Sequence, residues 1–220
     1  MPPQAQPLVL FGLERSVYTR IARLVLEEKH VPYQLQEVDI FGANGVPQEH
    51  RERHPFGRVP VLQHGDLVLY ETAAIARYVD EAFPGPSLQP SEPRARARMQ
   101  QIIGVLDSYA YRPMVWGVFV QRVRVPLTGG TSNEPEIASS IALAATCLSA
   151  LEHLSSGGPF LVPPRLSLAD LHAYPILRYL SLAPEGSALL AKHPSLNSWL
   201  ELMQSRPSVS RTRSMYESAQ

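Results

Sequence analysis

The segment covering residues 56–72 constrains the fold more than any other part of the chain. It contains two short apolar runs, residues 59–62 and residues 67–70, separated by Gln63-His64-Gly65-Asp66. Two such runs around a turn that contains glycine and aspartate predict a β-hairpin. Pro60 has no backbone N–H to give to a ladder, so it marks a strand start, an edge or a special turn.

A helix is predicted directly after this hairpin. Residues 72–83 form an alanine-rich amphipathic pattern, and Glu71-Thr72 stands at its start. Backbone N–H groups without helical partners converge at such a start, which suits an anion. A carboxylate and a hydroxyl are thus predicted beside a site for a negatively charged group.

The order of elements predicts two domains. Residues 1–83 read as β-α-β followed by β-β-α, which is typical of a thioredoxin-like α/β domain with its first two strands parallel. Residues 84–92 have the composition of a linker. Residues 93–220 predict an all-helical domain. Its expected parts are a long helix broken or bent near Pro113, helices at 135–154, 171–182 and 193–203, and a loosely held tail from Pro207.

Composition excludes several classes of protein. Acidic and basic residues balance at 20 each, which argues against nucleic acid as a partner. The single cysteine, Cys147, excludes an intrachain disulfide framework and suits the reducing cytosol. Residues 1–7 lack the features of a signal peptide, and residues 141–151 are too short and too polar to span a membrane. The histidines are scattered, so no metal site is expected.

The hairpin segment and the helix start after it resemble those of a known family. Pro-Phe-Gly-x-Val-Pro at residues 55–60, then a hairpin, then Glu71-Thr72 opening a helix is similar to the glutathione S-transferases, and most of all to their phi-like, serine-type group with its bacterial relatives. The resemblance implies a thioredoxin-like domain followed by a helical bundle. It also implies a cis Pro60, a Val59 backbone that pairs with the cysteinyl part of glutathione, and Glu71 and Thr72 at the γ-glutamyl end.

Ser16 is the candidate catalytic residue. From the residues alone it is an N-cap of the helix that follows. The resemblance places it where serine-type enzymes carry a serine whose hydroxyl donates to the sulfur of glutathione. Tyr18 is the alternative donor, although two positions along a helix turn it away from Ser16. No cysteine lies near Ser16, which weighs against the cysteine-type branches.

The residues that would bind the glycyl end of glutathione match the family pattern less well. The resemblance suggests that Arg58 pairs with a carboxylate of glutathione, and a plain surface role is the alternative. Gly45 and Val46 stand where the family grips the glycyl carboxylate, so we expect His50 or Arg51 to substitute. His54, which replaces the usual asparagine, is expected to be structural.

Two sets of apolar residues each have two interpretations. Phe56 is either a core residue or, as the resemblance implies, the contact that inserts into a partner subunit of a two-fold homodimer. Tyr111, Val115 and Phe119 share one helical face and either fill the core or line the pocket for a hydrophobic electrophile. Asp170, three residues after Ser167, is interpreted as a helix cap with no catalytic role.

The resulting hypothesis is a cytosolic, homodimeric glutathione S-transferase of detoxification type. It needs glutathione as co-substrate, a small hydrophobic electrophile and no metal. The same site also suits glutathione-dependent peroxide reduction, dehalogenation or ether cleavage. A non-catalytic module of the same fold that binds a ligand or a protein is the alternative from another class.

Overall fold

The computed structural model describes residues 7–155 and 157–217, which form two compact units. The first contains residues 7–87 and 211–217, and the second contains residues 88–210. The predicted helical domain reached to the end of the chain, whereas the segment from residue 211 packs with the first unit instead. Residues 1–6 and 218–220, which the predicted domains included, lie outside the described residues. Residues 1–6 are also most of the N-terminal segment that was not expected to be a signal peptide.

The first unit is built on a four-stranded sheet. Its strands are β1 (Leu8–Gly12), β2 (Gln34–Glu37), β3 (Val61–His64) and β4 (Leu67–Tyr70), in the order β2-β1-β3-β4. β1 and β2 are parallel, as predicted, and the other two pairs are antiparallel. The thioredoxin-like fold expected for this part of the chain is thereby confirmed.

The hairpin between β3 and β4 is tighter than predicted. Gln63 pairs with Val68, and His64 pairs with Leu67, so only two residues remain in the turn. The first of them is Gly65, whose φ of 62° belongs to the left-handed region that favours glycine. Gln63 and His64 were expected in the turn because they are polar, but their side chains remain partly accessible within the ladder.

Three helices complete this unit, namely α1 (Val17–Glu28), α2 (Gln48–Arg53) and α3 (Thr72–Ala82). α1 and α3 pack against each other, and the paired strand residues Leu10 and Leu62 are buried. α2 lies in the segment between β2 and β3. It begins after Pro47, carries an internal Glu49–Arg53 ion pair, and places the Arg53 guanidinium 4.2 Å from the centre of the Phe11 ring.

The second unit is helical throughout. Its α-helices are α4 (Pro93–Val105), α5 (Val125–Leu127), α6 (Glu134–Leu154), α7 (Leu168–Ser181), α8 (Pro184–Leu190), α9 (Pro194–Gln204) and α10 (Pro207–Arg211), the last of which ends at the boundary with the first unit. The predicted helices are all present. α8 and α10 were not predicted, because each is a short helix that starts at a proline in a segment without a long apolar period.

The long helix does not break at Pro113. After α4 it continues through two π-helical segments, Leu106–Ala110 and Arg112–Arg124, and then into α5. In these segments the N–H of Tyr111 donates to the carbonyl of Leu106, five residues earlier. Pro113 contributes no N–H, and the wider turn accommodates it without the break that an α-helix would show.

α6 packs closely on the π-helical part of the long helix. A Cβ added to Gly117 would lie 1.9 Å from the Ser140 hydroxyl, so glycine permits this approach.

Helix α6 is, by length and composition alone, apolar enough to cross a membrane, which contradicts the judgement made from residues 141–151. A buried stripe that includes Ile137, Ala144 and Leu148 packs inside the helical unit.

Asp170 is the centre of a buried hydrogen-bond network in the second unit. Its carboxylate accepts from the N–H of Leu161 at 2.8 Å, from the N–H and hydroxyl of Ser167 at 2.8 and 2.7 Å, and from Trp199 Nε1 at 2.9 Å. The predicted cap is therefore present, but it also joins α7 to α9 and to the preceding loop. This larger role explains why a charged residue is fully buried there.

Up to residue 217 the C-terminal segment is packed by buried charged contacts, and for these residues the prediction of a loose tail is wrong. Glu217 makes an ion pair with Arg20 of α1, and both side chains are almost completely buried. Arg211 adds an ion pair to Glu27, and its carbonyl accepts from Arg23. Polar residues kept this segment out of any apolar pattern, yet charge pairing attaches it to the first unit.

Candidate functional site

Three chain segments meet at one edge of the sheet in the first unit. Phe11 pairs with Val61, which in turn pairs with Tyr70. The antiparallel pairing therefore puts the end of β1, the start of β3 and the end of β4 side by side. The residues just beyond those ends are the predicted site residues, and the topology brings them together.

Ser16 is the N-cap of α1, as predicted. Its Oγ accepts the N–H of Thr19 at 3.3 Å, and the residue is partly accessible. Because Oγ acts as the acceptor in this bond, its own proton can be donated outwards. A Cβ added to Gly12 would lie 2.4 Å from Thr19 Cγ2, so glycine lets the first turn of α1 rest directly on the end of β1.

Tyr18 lies inside α1, two positions after Ser16. Two helical positions correspond to a rotation of about 200° around the helix axis. The tyrosine is partly accessible. Along a helix this rotation turns Tyr18 away from the position of Ser16, and which of the two hydroxyls meets the sulfur stays a prediction.

The Val59–Pro60 peptide bond is cis, as the family resemblance implied. The Val59 side chain is buried in a cluster with Phe11, Leu13 and Val61, which brings its backbone beside the loop that leads to Ser16. His50 Nε2 lies 2.7 Å from the carbonyl oxygen of Arg58 and donates to it. That bond fixes the peptide immediately before Val59.

Glu71 has an unusual backbone. Its φ of 70° and ψ of 112° lie in a sparsely populated region for a residue with a side chain. It caps α3 without a side-chain hydrogen bond to the helix, and the first helical bond joins the N–H of Ile75 to the Glu71 carbonyl. The exposed carboxylate of Glu71 and the buried Thr72 thus stand at a helix N-terminus, as predicted.

The two candidates for the glycyl end differ in accessibility. His50 is buried and its Nε2 is already bonded to Arg58, so it does not suit an external carboxylate. Arg51 is exposed, and its Nη1 lies 3.5 Å from where a Cβ on Gly57 would be. Arg58 is exposed as well. Two guanidinium groups, rather than an imidazole, are therefore available on this side of the site.

Phe56 is not a core residue of the first unit, because 69% of its surface is exposed. Its ring meets Tyr70 edge-on, with centroids 6.4 Å apart. His54 is buried beside the same tyrosine at 4.7 Å, and burial lowers the pKa of this imidazole. The structural role predicted for His54 agrees with this position, while the role of Phe56 in a dimer stays a prediction.

The predicted pocket residues lie on the π-helical part of the second unit. Phe119 is buried and stacks on Tyr179 with centroids 4.2 Å apart, and Val115 is also buried. Tyr111 is partly buried and accepts a hydrogen bond from Trp116 Nε1 at 3.0 Å. Within this unit the core interpretation fits Phe119 and Val115, and a pocket role for the three remains a prediction.

Two features of the site region were missed from sequence. The first is the strained conformation of Glu71, for which the residue type gives no signal. The second is the buried pair of Arg20 with Glu217, whose partners are separated by 197 positions. In residues 7–155 and 157–217 no three His, Cys, Asp or Glu side chains gather as metal ligands would, and Cys147 is a buried residue of α6.

Comparisons with protein families and known proteins agree on one group. The family model "Glutathione S-transferase, N-terminal domain" matches residues 10–87, and "Glutathione S-transferase, C-terminal domain" matches residues 142–211. The protein named glutathione S-transferase F10 of Arabidopsis thaliana is 31% identical over 84% of this chain and 86% of its own length.

Solved structures give the same result. The apo structure of a glutathione S-transferase III is similar with a TM-score of 0.83 and 28% identity, over 94% of this chain and 95% of the other. A maize glutathione S-transferase I in complex with an atrazine–glutathione conjugate has a TM-score of 0.81 and 26% identity, over 94% and 96% of the two chains.

Proposed function

This chain belongs to the glutathione S-transferase family, and we propose that it joins the thiol of glutathione to a hydrophobic electrophile, with Ser16 stabilising the thiolate. The observation that carries this proposal is the meeting of three segments at one edge of the sheet. They bring the Ser16 hydroxyl, the cis Val59–Pro60 peptide and the Glu71-Thr72 helix start together.

Each part of glutathione has a matching group on this edge. The backbone of Val59 precedes β3 and offers strand-type hydrogen bonds to the cysteinyl residue. The γ-glutamyl end carries an ammonium group and a carboxylate. The exposed Glu71 carboxylate suits the ammonium group, and Thr72 with the first amides of α3 suits the carboxylate. Arg51 and Arg58 supply positive charge for the glycyl carboxylate.

Ser16 makes ionisation of the thiol easier. A hydrogen bond to a charged group contributes about 1.5–3 kcal/mol, and the N-terminus of α1 adds about 0.3–1 kcal/mol. Together these lower the thiol pKa by roughly 1.5–3 units from its usual value of about 8.5. At pH 7 the thiolate then rises from about 3% to at least roughly half of the bound glutathione.

The finer assignment is to the phi-like, serine-type group. Ser16 at the N-cap, the cis Val59–Pro60 bond and Glu71-Thr72 support it, as does the similarity to plant relatives. We propose that the enzyme acts in the cytosol as a homodimer in which the exposed Phe56 contacts the partner subunit. Tyr111, Val115 and Phe119 are proposed to border the site of the electrophile.

The experiment that tests this function is calorimetric titration with glutathione, together with the ultraviolet absorbance of the bound thiolate as a function of pH. The Glu71→Ala variant is expected to bind about 10–150-fold more weakly, because a charged hydrogen bond is lost. At a pH well below the thiol pKa, the Ser16→Ala variant is expected to bind glutathione with similar affinity, but the thiol pKa of the bound glutathione is expected to be higher. Glu81→Ala, an exposed carboxylate at the other end of α3, is the matched control for Glu71.

No binding at millimolar glutathione would refute the proposed function. It would favour the non-catalytic alternative, for which Gly45 is the supporting observation, because no side chain at that position can grip the glycyl carboxylate. If glutathione binds with a lowered thiol pKa, product analysis separates conjugation from peroxide reduction, dehalogenation and ether cleavage. All four reactions begin from the same thiolate.

A further inference from the structure

The C-terminal segment, residues 211–217, contacts α1 at three charged residues. Glu217 pairs with Arg20, the Arg211 carbonyl accepts from Arg23 at 3.3 Å, and the Arg211 guanidinium pairs with Glu27. The α1 partners are three and four residues apart, so they lie along one face of the helix. The segment therefore runs beside the same helix whose N-cap is Ser16.

The contact nearest to Ser16 is also the most buried. Only 1% of the Arg20 side chain and 4% of the Glu217 side chain are exposed. Two nitrogens of the guanidinium face two oxygens of the carboxylate, which is the bidentate arrangement that fixes orientation as well as distance. An exposed ion pair would be sufficient to attach the C-terminal segment to α1. A buried bidentate pair also restricts how the segment and α1 are oriented relative to each other.

Glu217 is itself held in place within the segment. Its Oε1 accepts the N–H of Ser214 at 3.0 Å, and its own N–H donates to the Ser214 carbonyl at 3.0 Å. Ser214 and Thr212 are buried. The carboxylate that meets Arg20 thus comes from a closed and packed turn and not from a flexible end.

Arg20 is connected directly to the site residue. Its backbone N–H donates to the Ser16 carbonyl at 2.9 Å, which closes the first turn of α1. A displacement of Arg20 therefore moves the N-cap. At a donor distance typical of hydrogen bonds, a shift of a few tenths of an ångström or a tilt of the hydroxyl weakens the interaction steeply.

We propose that Glu217 is a positioning residue for thiolate formation, acting through Arg20 on the Ser16 hydroxyl. This inference rests on the proposed function of Ser16. In it the C-terminal segment sets the orientation of the first turn of α1, and with it the strength of the hydrogen bond to the sulfur. Glu217 touches neither glutathione nor the electrophile.

The test measures the thiol pKa of bound glutathione in the Glu217→Gln variant, which keeps the shape of the side chain and removes its charge. We expect this pKa to rise by about 0.5–1 unit, so that about 3–10-fold less thiolate forms well below the pKa. At a pH well below this pKa, where the bound glutathione is a thiol, its affinity should change by less than about twofold, because Glu217 touches no part of glutathione. The turnover should fall at low pH and approach the wild-type value at high pH.

Two further proteins make the result decisive. Glu81→Gln breaks an exposed ion pair of α3 and should leave the thiol pKa unchanged. The double variant Arg20→Met, Glu217→Met replaces the buried pair by flexible apolar side chains of similar length, so that no unpaired charge is left buried. It should raise the thiol pKa as Glu217→Gln does, even if Glu217→Gln alone proves too unstable to purify.

A folded Glu217→Gln or double variant with the wild-type thiol pKa and pH profile would overturn the inference, whatever its melting temperature. Ser16→Ala, measured in parallel, separates this failure from that of the proposed function. If Ser16→Ala raises the thiol pKa and the Glu217 variants do not, only the positioning role is refuted. If Ser16→Ala has no effect either, the proposed role of Ser16 fails, and the inference fails with it.

Discussion

Replacing Asp170 by alanine is expected to destabilise the helical unit far more than the loss of a normal helix cap. The carboxylate accepts four hydrogen bonds, from Leu161, from Ser167 twice, and from Trp199. In the alanine variant the Ser167 hydroxyl can turn to another acceptor, but three N–H groups lose their partner. Asp170 and Ser167 are both essentially inaccessible to solvent, so bulk water does not replace the lost bonds.

The magnitude follows from the number of unpaired donors. Each buried donor left without a partner costs about 1–3 kcal/mol. Three such groups give at least about 3 kcal/mol, and we expect about 4 kcal/mol for Asp170→Ala when some relaxation is allowed. Asp170→Asn keeps one oxygen for Leu161 and Trp199 but turns an amide towards the two Ser167 donors. We expect this variant to lose about 2 kcal/mol.

The assay is urea unfolding followed by circular dichroism and by tryptophan fluorescence. Asn133→Ala is the control, because Asn133 caps α6 through a single hydrogen bond at 3.1 Å to an exposed segment. Loss of such a cap costs about 1 kcal/mol. If Asp170→Ala costs no more than Asn133→Ala, the network does not act as a joint between α7, α9 and the preceding loop, and the reasoning is refuted.

Two further predictions concern the first unit. Phe56→Asp is expected to convert the proposed homodimer to monomers, because a two-fold interface buries two copies of Phe56 and each contributes about 1.5–3 kcal/mol. Sedimentation velocity at micromolar concentration measures the oligomeric state. A Phe56→Asp variant that remains a dimer would contradict the proposed contact. Because burial lowers the pKa of His54 from 6.5, the unfolded state binds the proton more readily, so stability falls as the pH drops below about 6.5 towards the folded pKa. The His54→Asn variant should lose less stability over this range of pH than the wild type does. The control variant His153→Asn, at an exposed site, should follow the wild type. If all three proteins show the same dependence of unfolding free energy on pH, burial of His54 does not cause the loss of stability.

Local patterns predicted the elements that form the site. The first strand, the N-cap at Ser16, the hairpin and the helix that starts at Thr72 all depend on neighbours within a few residues, and all four are present. The cis bond before Pro60 could not come from such patterns. It came from the family resemblance, because nothing in the two residues themselves distinguishes cis from trans.

The features that could not be predicted depend on distant residues. Arg20 and Arg23 are charged residues of α1, yet both are buried, and distant residues supply partners for them: Glu217 for Arg20 and the Arg211 carbonyl for Arg23. His50 looked available for a ligand until its bond to Arg58 was known. Pro113 predicted a break or a bend, whereas the helix continues past it through π-helical turns.

The conformation of Glu71 places opposing demands on that position during evolution. A positive φ at a residue with a side chain costs about 1–3 kcal/mol, and glycine would remove this cost. Glycine would also remove the carboxylate that is proposed to bind the γ-glutamyl ammonium group. Selection for stability therefore favours glycine at position 71, whereas selection for glutathione binding favours glutamate. The residue at this position reflects a trade-off between stability and activity.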